Sequence, residues 1–485
     1  MSLRRDTVQG ALSALVTLGS RIALTALLAR ALGPSAYGEL MFAQWVMEML
    51  LLVAGLGAPA MLTRFLPGLS GRRDAAAHRV RRWLLLACGL AFLLCLLGFA
   101  AWLAIGSGEH TRLDPAREGT ALLLMCASYL AVSFVTPLLQ GLLRYDAVLY
   151  GSLASAIAAP LLVYTLVRPG NVADGALALG TALALNVIVS VVWLRGRRDD
   201  AVAVTARDDD LHLRVVAGYA ANSWAAGLVA GMVWMRGELG VLKLQASSAG
   251  IAFYSGALTL AGAVTQVASL VLNALQPHLV TARHEHDTAR VVEMLRTATQ
   301  AALLLTTLCA FALLTFSEQL VNLLLGDGFL AATPIVEILA IMSVASASGG
   351  AATLLQVETN GRFTLMSNAV AAVLLLALSL ALTPLVGVLG AAIARGLAQA
   401  CVAELVYRRL RDVDGFAIAA RQLARAQRSS IALLLVVWTA GSLWGKAPAI
   451  SFGVGVPCLL AALALVRASA GIPIARMLRL GSRPG

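Results

Sequence analysis

The sequence predicts an all-α polytopic membrane protein of about fourteen transmembrane helices. Three observations carry this expectation. Of 485 residues, 59% are hydrophobic and 13% charged, where a soluble chain carries roughly 25% charged residues, and mean hydropathy is +0.83. The apolar residues fall into runs close to the roughly 20 residues that cross a hydrocarbon core. The basic residues lie at one set of alternate connections between those runs. Composition alone therefore argues against a soluble enzyme, a disordered regulator or a disulfide scaffold.

Taken in order, the first run (7–30) follows the charged start MSLRRD and is too long for the apolar part of a cleavable signal, so it is expected to be retained. The turn LGPSAYG (32–38) separates it from 41–63. Further runs follow at 83–105, 119–140, 149–167, 175–194, 217–243, 250–275, 297–316, 332–354, 364–385 and 388–407. Two last runs, 430–446 and 449–467, are joined only by Ala447 and Pro448, as a tight hairpin or one broken element. Pro160, Pro334, Gly231 and Gly262 lie inside runs, where neighbouring helices, hydroxyls and water can satisfy the freed backbone groups.

With the N-terminus inside, 28 of the 37 Lys and Arg residues fall on the cytoplasmic side, 6 on the other and 3 (Arg21, Arg236, Arg395) within spans. That asymmetry is the positive-inside pattern. It explains the net charge of +12 by topology and anionic lipid, and no nucleic-acid partner is expected. The tract RQLARAQR (421–428) reads as a membrane flank. All six cysteines sit in apolar runs without CxxC spacing and are read as packing residues.

The chain also repeats itself. Arg21 and Arg236 are 215 residues apart, Tyr37 and Tyr254 217, Gln140 and Gln356 216, and Gly175 and Gly390 215, in order along the chain. The repeat divides it into an N-terminal six-helix bundle (1–200), a C-terminal one (201–415) and two appended helices with a tail (416–485). A six-span unit gives copies of the same topology, related by a pseudo-twofold along the membrane normal. Transporters of this kind place their substrate path between halves near the midplane.

Several motifs are decoys. GSLWGKA (441–447) lacks the spacing of a phosphate loop, GLGAPA (55–60) follows no strand, and HEHD (284–287) sits among arginines and is not expected to bind metal. Asp208, Asp209 and Asp210 read as a solvated loop.

The segment TLGSRIALTALLARALGPSAYGELMFAQ (17–44), with GLGAPAMLTRFLP (55–67) and RGELGVLKLQASSAGIAFYSGA (236–257), resembles the polysaccharide transporter family. These are the O-antigen and exopolysaccharide flippases of the multidrug/oligosaccharidyl-lipid/polysaccharide exporter superfamily. One departure is Glu238, where many relatives carry Asp. The resemblance implies a twelve- to fourteen-helix transporter in the bacterial inner membrane, with cytoplasmic termini. Its cargo would be undecaprenyl-pyrophosphate-linked sugar repeat units, moved to the outer leaflet by alternating access. It implies no catalytic residue, cofactor or ATP use, leaves proton or sodium coupling open, and suggests association with a polysaccharide polymerase and glycosyltransferases.

The residues themselves point to the same place. A charge at the bilayer centre costs at least roughly 2.5–3.5 kcal/mol, so Arg21, Arg236, Glu48, Glu238 and Arg395 should face a wet cavity or pair with one another. Guanidinium groups can hold pyrophosphate oxygens bidentately. Gln44, Asn222, Gln266 and Asn273 are candidates for sugar contacts, with Trp45, Trp224 and Trp234 as stacking faces. The structural alternative is that each arginine is held by a carboxylate, Arg236 by Glu238 or Glu48. Glu337 and Glu404, near span ends, read as snorkelling or paired. A multidrug antiporter is the alternative function, and a polymerase or ligase a more distant one. The antiporter should be rich in carboxylates, and a polymerase or ligase needs a large external loop with catalytic Arg or His.

Overall fold

The computed structural model describes residues 2–69, 75–106, 117–196, 213–284, 288–359, 362–444 and Pro457. Nearly all of these residues lie in helices or the short turns between them, with no strand among them. Apart from Pro457, the expected run at 449–467 lies outside the described residues, as do Asp208, Asp209 and Asp210 and, of the HEHD motif, residues 285–287. Among the described residues ten helices are long and apolar enough to cross a membrane, or eleven if Val216–Trp234 and Glu238–Gln245, bent by 49°, count as one span. The chain is an all-α polytopic membrane protein.

The first compact unit contains the chain up to Leu239, together with 246–252. Its helices are α1 (Ser2–Ala54), α2 (Ala58–Leu69), α3 (Ala75–Gly106), α4 (Arg117–Gly141), α5 (Tyr145–Leu166), α6 (Val172–Gly196) and α7 (Leu213–Trp234). In α1, Gly33 takes φ 71° and ψ 172°, a conformation open to glycine. Pro34 then opens the next helical turns, where its missing N–H costs nothing. The expected run 41–63 is interrupted at 55–57, where Leu56 and Gly57 adopt positive φ. A Cβ on Gly57 would meet the Ala220 carbonyl of α7, so this turn lets α7 pack closely on the α1–α2 junction. The core here joins Met61, Phe65, Leu84, Phe134 and Val216.

Polar ties fix the helix ends of this unit. Arg117 pairs with the buried Asp174 at 3.0 Å, linking the starts of α4 and α6. At the opposite end Asp146 accepts from Trp193 Nε1 at 3.0 Å and from Arg144 Nε at 3.4 Å. Between them α5 and α6 approach so closely that a Cβ on Gly151 would strike Ser190 Oγ. Such small-residue contacts replace the hydrophobic driving force that lipid removes.

The second unit contains 240–245 and the chain from 253 onward. After the short α8 (Glu238–Gln245) come α9 (Ser248–His284), α10 (Thr288–Thr315), α11 (Ser317–Leu325), α12 (Thr333–Ser343), α13 (Gly349–Glu358), α14 (Arg362–Val386), α15 (Val388–Leu410) and α16 (Ala417–Trp444). Short 3₁₀ turns at Asp327–Ala332 and Val344–Ser348 flank α12, so the expected run 332–354 is a segmented rather than continuous helix. The core of this unit gathers Val264, Leu303, Phe311, Ile341 and Leu434. Element order echoes the sequence repeat: α5 and α14 begin 217 residues apart, and α6 and α15 begin 216 apart. Tyr37 and Tyr254 are both fully buried.

Glu337 and Glu404 are paired in this unit. Glu337, 3% exposed, accepts from Ser317 Oγ at 2.6 Å and from Trp438 Nε1 at 2.9 Å, tying α12 to α11 and α16. Glu404 bridges Arg408 at 2.8 Å and Arg428 at 2.6 Å.

Candidate functional site

The turn at Gly33 shapes the first unit's polar centre. Arg21 and Thr25 precede it; Tyr37, Gln44 and Glu48 follow it. Arg21 and Glu48 are twenty-seven residues apart, which in a straight helix would separate them by roughly 40 Å. Their side chains nevertheless interact electrostatically, so the chain turns back at Gly33 and Ser2–Ala54 supplies two antiparallel limbs rather than one long rod. Tyr37 lies beside Thr25 and within electrostatic range of Arg21 and Arg236.

Arg236 reaches this centre from the three-residue break that follows α7. Its φ is +67°, a left-handed conformation that costs a non-glycine residue roughly 1–2 kcal/mol. The break is held by Met235 N–H to the Gly231 carbonyl at 2.7 Å and by Gly237 N–H to the Met232 carbonyl at 3.1 Å. The Arg236 side chain is 8% exposed and lies within electrostatic range of Arg21. The two arginines that the repeat marks thus come together within the first unit.

Groups within electrostatic range of Arg21 include Arg236, Glu48, Tyr129 and Tyr37. Glu48 also accepts a hydrogen bond from Gln44 Nε2 at 3.1 Å. Arg21 thus has a second guanidinium and one carboxylate within electrostatic range, and Arg21 itself is an exposed residue. Glu238, fully buried, stands in the first turn of α8, where the helix dipole favours a negative charge. An arginine in electrostatic range of a second one, with phenols at hand, can hold phosphate oxygens through charge-assisted bidentate hydrogen bonds.

The remaining candidates are distributed. Asn222 is exposed on α7, and Trp224 Nε1 donates to the Val53 carbonyl at 2.9 Å. Trp45 stacks on Phe42 with centroids 5.4 Å apart, and Trp234 is 40% exposed. In the second unit Gln266 is exposed on α9, and Arg395, buried in α15, is already engaged. The side chain of Asn273 lies outside the described residues. Among the described residues no cluster of His, Cys, Asp and Glu could hold a metal ion.

Sequence reasoning missed Tyr129, which stands within range of Glu48, Arg21 and Arg236. A lone tyrosine in the apolar run CASYLAVS carries no periodic or motif signal; only the fold brings α4 against the centre.

A sequence profile described as polysaccharide biosynthesis protein matches residues 4–282. No curated protein sequence matches the chain. Among solved structures, the lipid II flippase MurJ in an inward closed conformation aligns with a TM-score of 0.60 at 11% identity, covering 95% of this chain and 99% of that one. An inward-facing multidrug resistance MATE family transporter of the MOP superfamily aligns with a TM-score of 0.57 at 16% identity, covering 88% and 99%. A MATE structure in the straight conformation gives 0.54 at 16% identity, covering 90% and 96%. At these identities the likeness establishes the fold.

Proposed function

Because the chain belongs to the polysaccharide biosynthesis protein family, we propose that it is a flippase that carries a lipid-linked oligosaccharide across the bacterial inner membrane by alternating access. The cargo class is an undecaprenyl-pyrophosphate-linked repeat unit, whose anionic head needs a polar path and whose tail stays in lipid. One observation carries this reading: Arg21 is exposed within a membrane-spanning segment, in electrostatic range of both Arg236 and Glu48. Leaving such a charge without a partner would cost several kcal/mol, and an anionic cargo would turn that cost into affinity.

Gln44 orients Glu48, and Tyr37 and Tyr129 supply hydroxyls near the phosphate position. Asn222 and Gln266 serve as sugar contacts, and Arg395 and Glu238 support the path from buried positions. Glu48 is the group through which proton or sodium coupling would act. The charge asymmetry of 28 cytoplasmic to 6 external basic residues supports cytoplasmic termini. Polysaccharide polymerase and glycosyltransferases are the natural neighbours of such a transporter.

A multidrug antiporter on the same fold is the second reading, favoured by the MATE neighbours. Cationic drugs would meet the two guanidinium groups of Arg21 and Arg236 here, which weighs against it. The test is complementation of a deletion strain. Arg21→Ala and Arg236→Ala should each abolish surface polysaccharide at unchanged protein level in the membrane. Normal polysaccharide in both variants, or altered drug tolerance with intact polysaccharide, would overturn the flippase reading.

A further inference from the structure

The junction of α15 and α16 gathers four arginines around a groove of about 410 Å³, lined by Arg411, Arg421, Arg425, Arg428, Ser429 and Ala432. That volume falls in the range of small-ligand sites, roughly 300–1,000 Å³. We propose that this groove is a binding site for the phosphodiester headgroup of an anionic glycerophospholipid, seated independently of whatever cargo the protein moves.

The charge in the groove is not neutralised from within. Asp412 is taken by Arg409 at 3.3 Å. Glu404 holds Arg428 through Nη2 at 2.6 and 2.7 Å and is shared with Arg408 at 2.8 Å. Among the described residues Arg411, Arg421 and Arg425 have no ion pair. The Arg411 Nε is buried and finds no hydrogen-bond acceptor. An unmet buried donor costs roughly 1–3 kcal/mol, more when charged; a phosphate oxygen would supply the acceptor. Glu404 meanwhile holds the Arg428 guanidinium in place, so the site is prepared before ligand arrives.

The same face of α16 favours a lipid over free phosphate. Arg421, Arg425 and Arg428 follow a 4- and 3-residue spacing that places them on one stripe. The stripe continues past them as the exposed Ala432, Leu435 and Val436. A headgroup on the arginines would lay its acyl chains along this apolar continuation. The positive-inside distribution assigns this end of α16 to the inner leaflet, where anionic lipid draws basic side chains.

Native mass spectrometry of the purified full chain tests the site, with phosphatidylglycerol titrated against phosphatidylcholine. The wild-type protein should retain phosphatidylglycerol selectively. R421Q/R425Q should weaken that retention about tenfold, and R421K/R425K by much less, with phosphatidylcholine binding unchanged. R79Q/R82Q, which removes two exposed basic residues from α3, should leave retention at the wild-type level. Should the double variant fail to fold, R421Q and R425Q alone should each weaken retention about threefold. Equal retention in the glutamine variants, an equal loss in R79Q/R82Q, or displacement of the lipid by millimolar inorganic phosphate would each overturn the proposal.

Discussion

Replacing Arg21 with Gln separates cargo affinity from stability. Arg21 is an exposed residue with Glu48 in electrostatic range; an exposed ion pair adds about 0–1 kcal/mol, so R21Q should fold and insert normally. The substitution removes one of the two guanidinium charges gathered at the centre. At about 4 Å and an effective dielectric of about 20, a guanidinium attracts a phosphate charge by roughly 4 kcal/mol. Solvent at the exposed group reduces this toward the roughly 1.5–3 kcal/mol of a charge-assisted hydrogen bond. Taking about 2 kcal/mol, affinity for a polyprenyl pyrophosphate should fall about 30-fold. R21K, which keeps the charge and loses the bidentate fork, should fall in between. The assay is equilibrium binding of polyprenyl pyrophosphate to the purified protein in detergent. An R21Q affinity within twofold of wild type, with intact fold, would refute the role given to Arg21.

Two further outcomes follow from the geometry. Because Arg236 sits at φ +67°, Arg236→Gly relieves a backbone cost that Arg236→Ala retains, so the glycine variant should be about 1 kcal/mol more stable; chemical denaturation checks this, and equal stability would show that the break relaxes. Trp438→Phe removes a hydrogen bond to the buried Glu337 carboxylate, worth roughly 1.5–3 kcal/mol. It should speed proteolysis within α16, and an unchanged rate would mean that α16 is held by apolar packing alone.

Apolar run length and the placement of arginines made the spans legible, because lipid imposes both. The turn at Gly33 was legible too, since a glycine followed by proline has few other uses. The break at Leu56 and Gly57 was not: GLGAPA reads as part of an apolar span, and only the approach of Ala220 to Gly57 explains the turn. Arg21 and Arg236 stood out as intramembrane charges, but the sequence spaced them as repeat counterparts. Their meeting depends on α7 packing with α1 and α2 and on a left-handed arginine, neither of which leaves a periodic trace. Tyr129 was invisible because a phenol in an apolar run is ordinary core material until a charge is brought beside it. The hydrogen bonds from Ser317 and Trp438 to Glu337 span 20 and 101 residues, a separation at which pattern says nothing.

The most direct measurement is translocation in reconstituted vesicles, comparing a fluorescent polyprenyl-pyrophosphate-linked oligosaccharide with a neutral-headed analogue. Wild-type protein should move the anionic lipid well above the protein-free rate and leave the neutral one behind, and R21Q should lose that preference. Equal movement of both lipids, or none above protein-free vesicles, would contradict an arginine centre built for an anionic head.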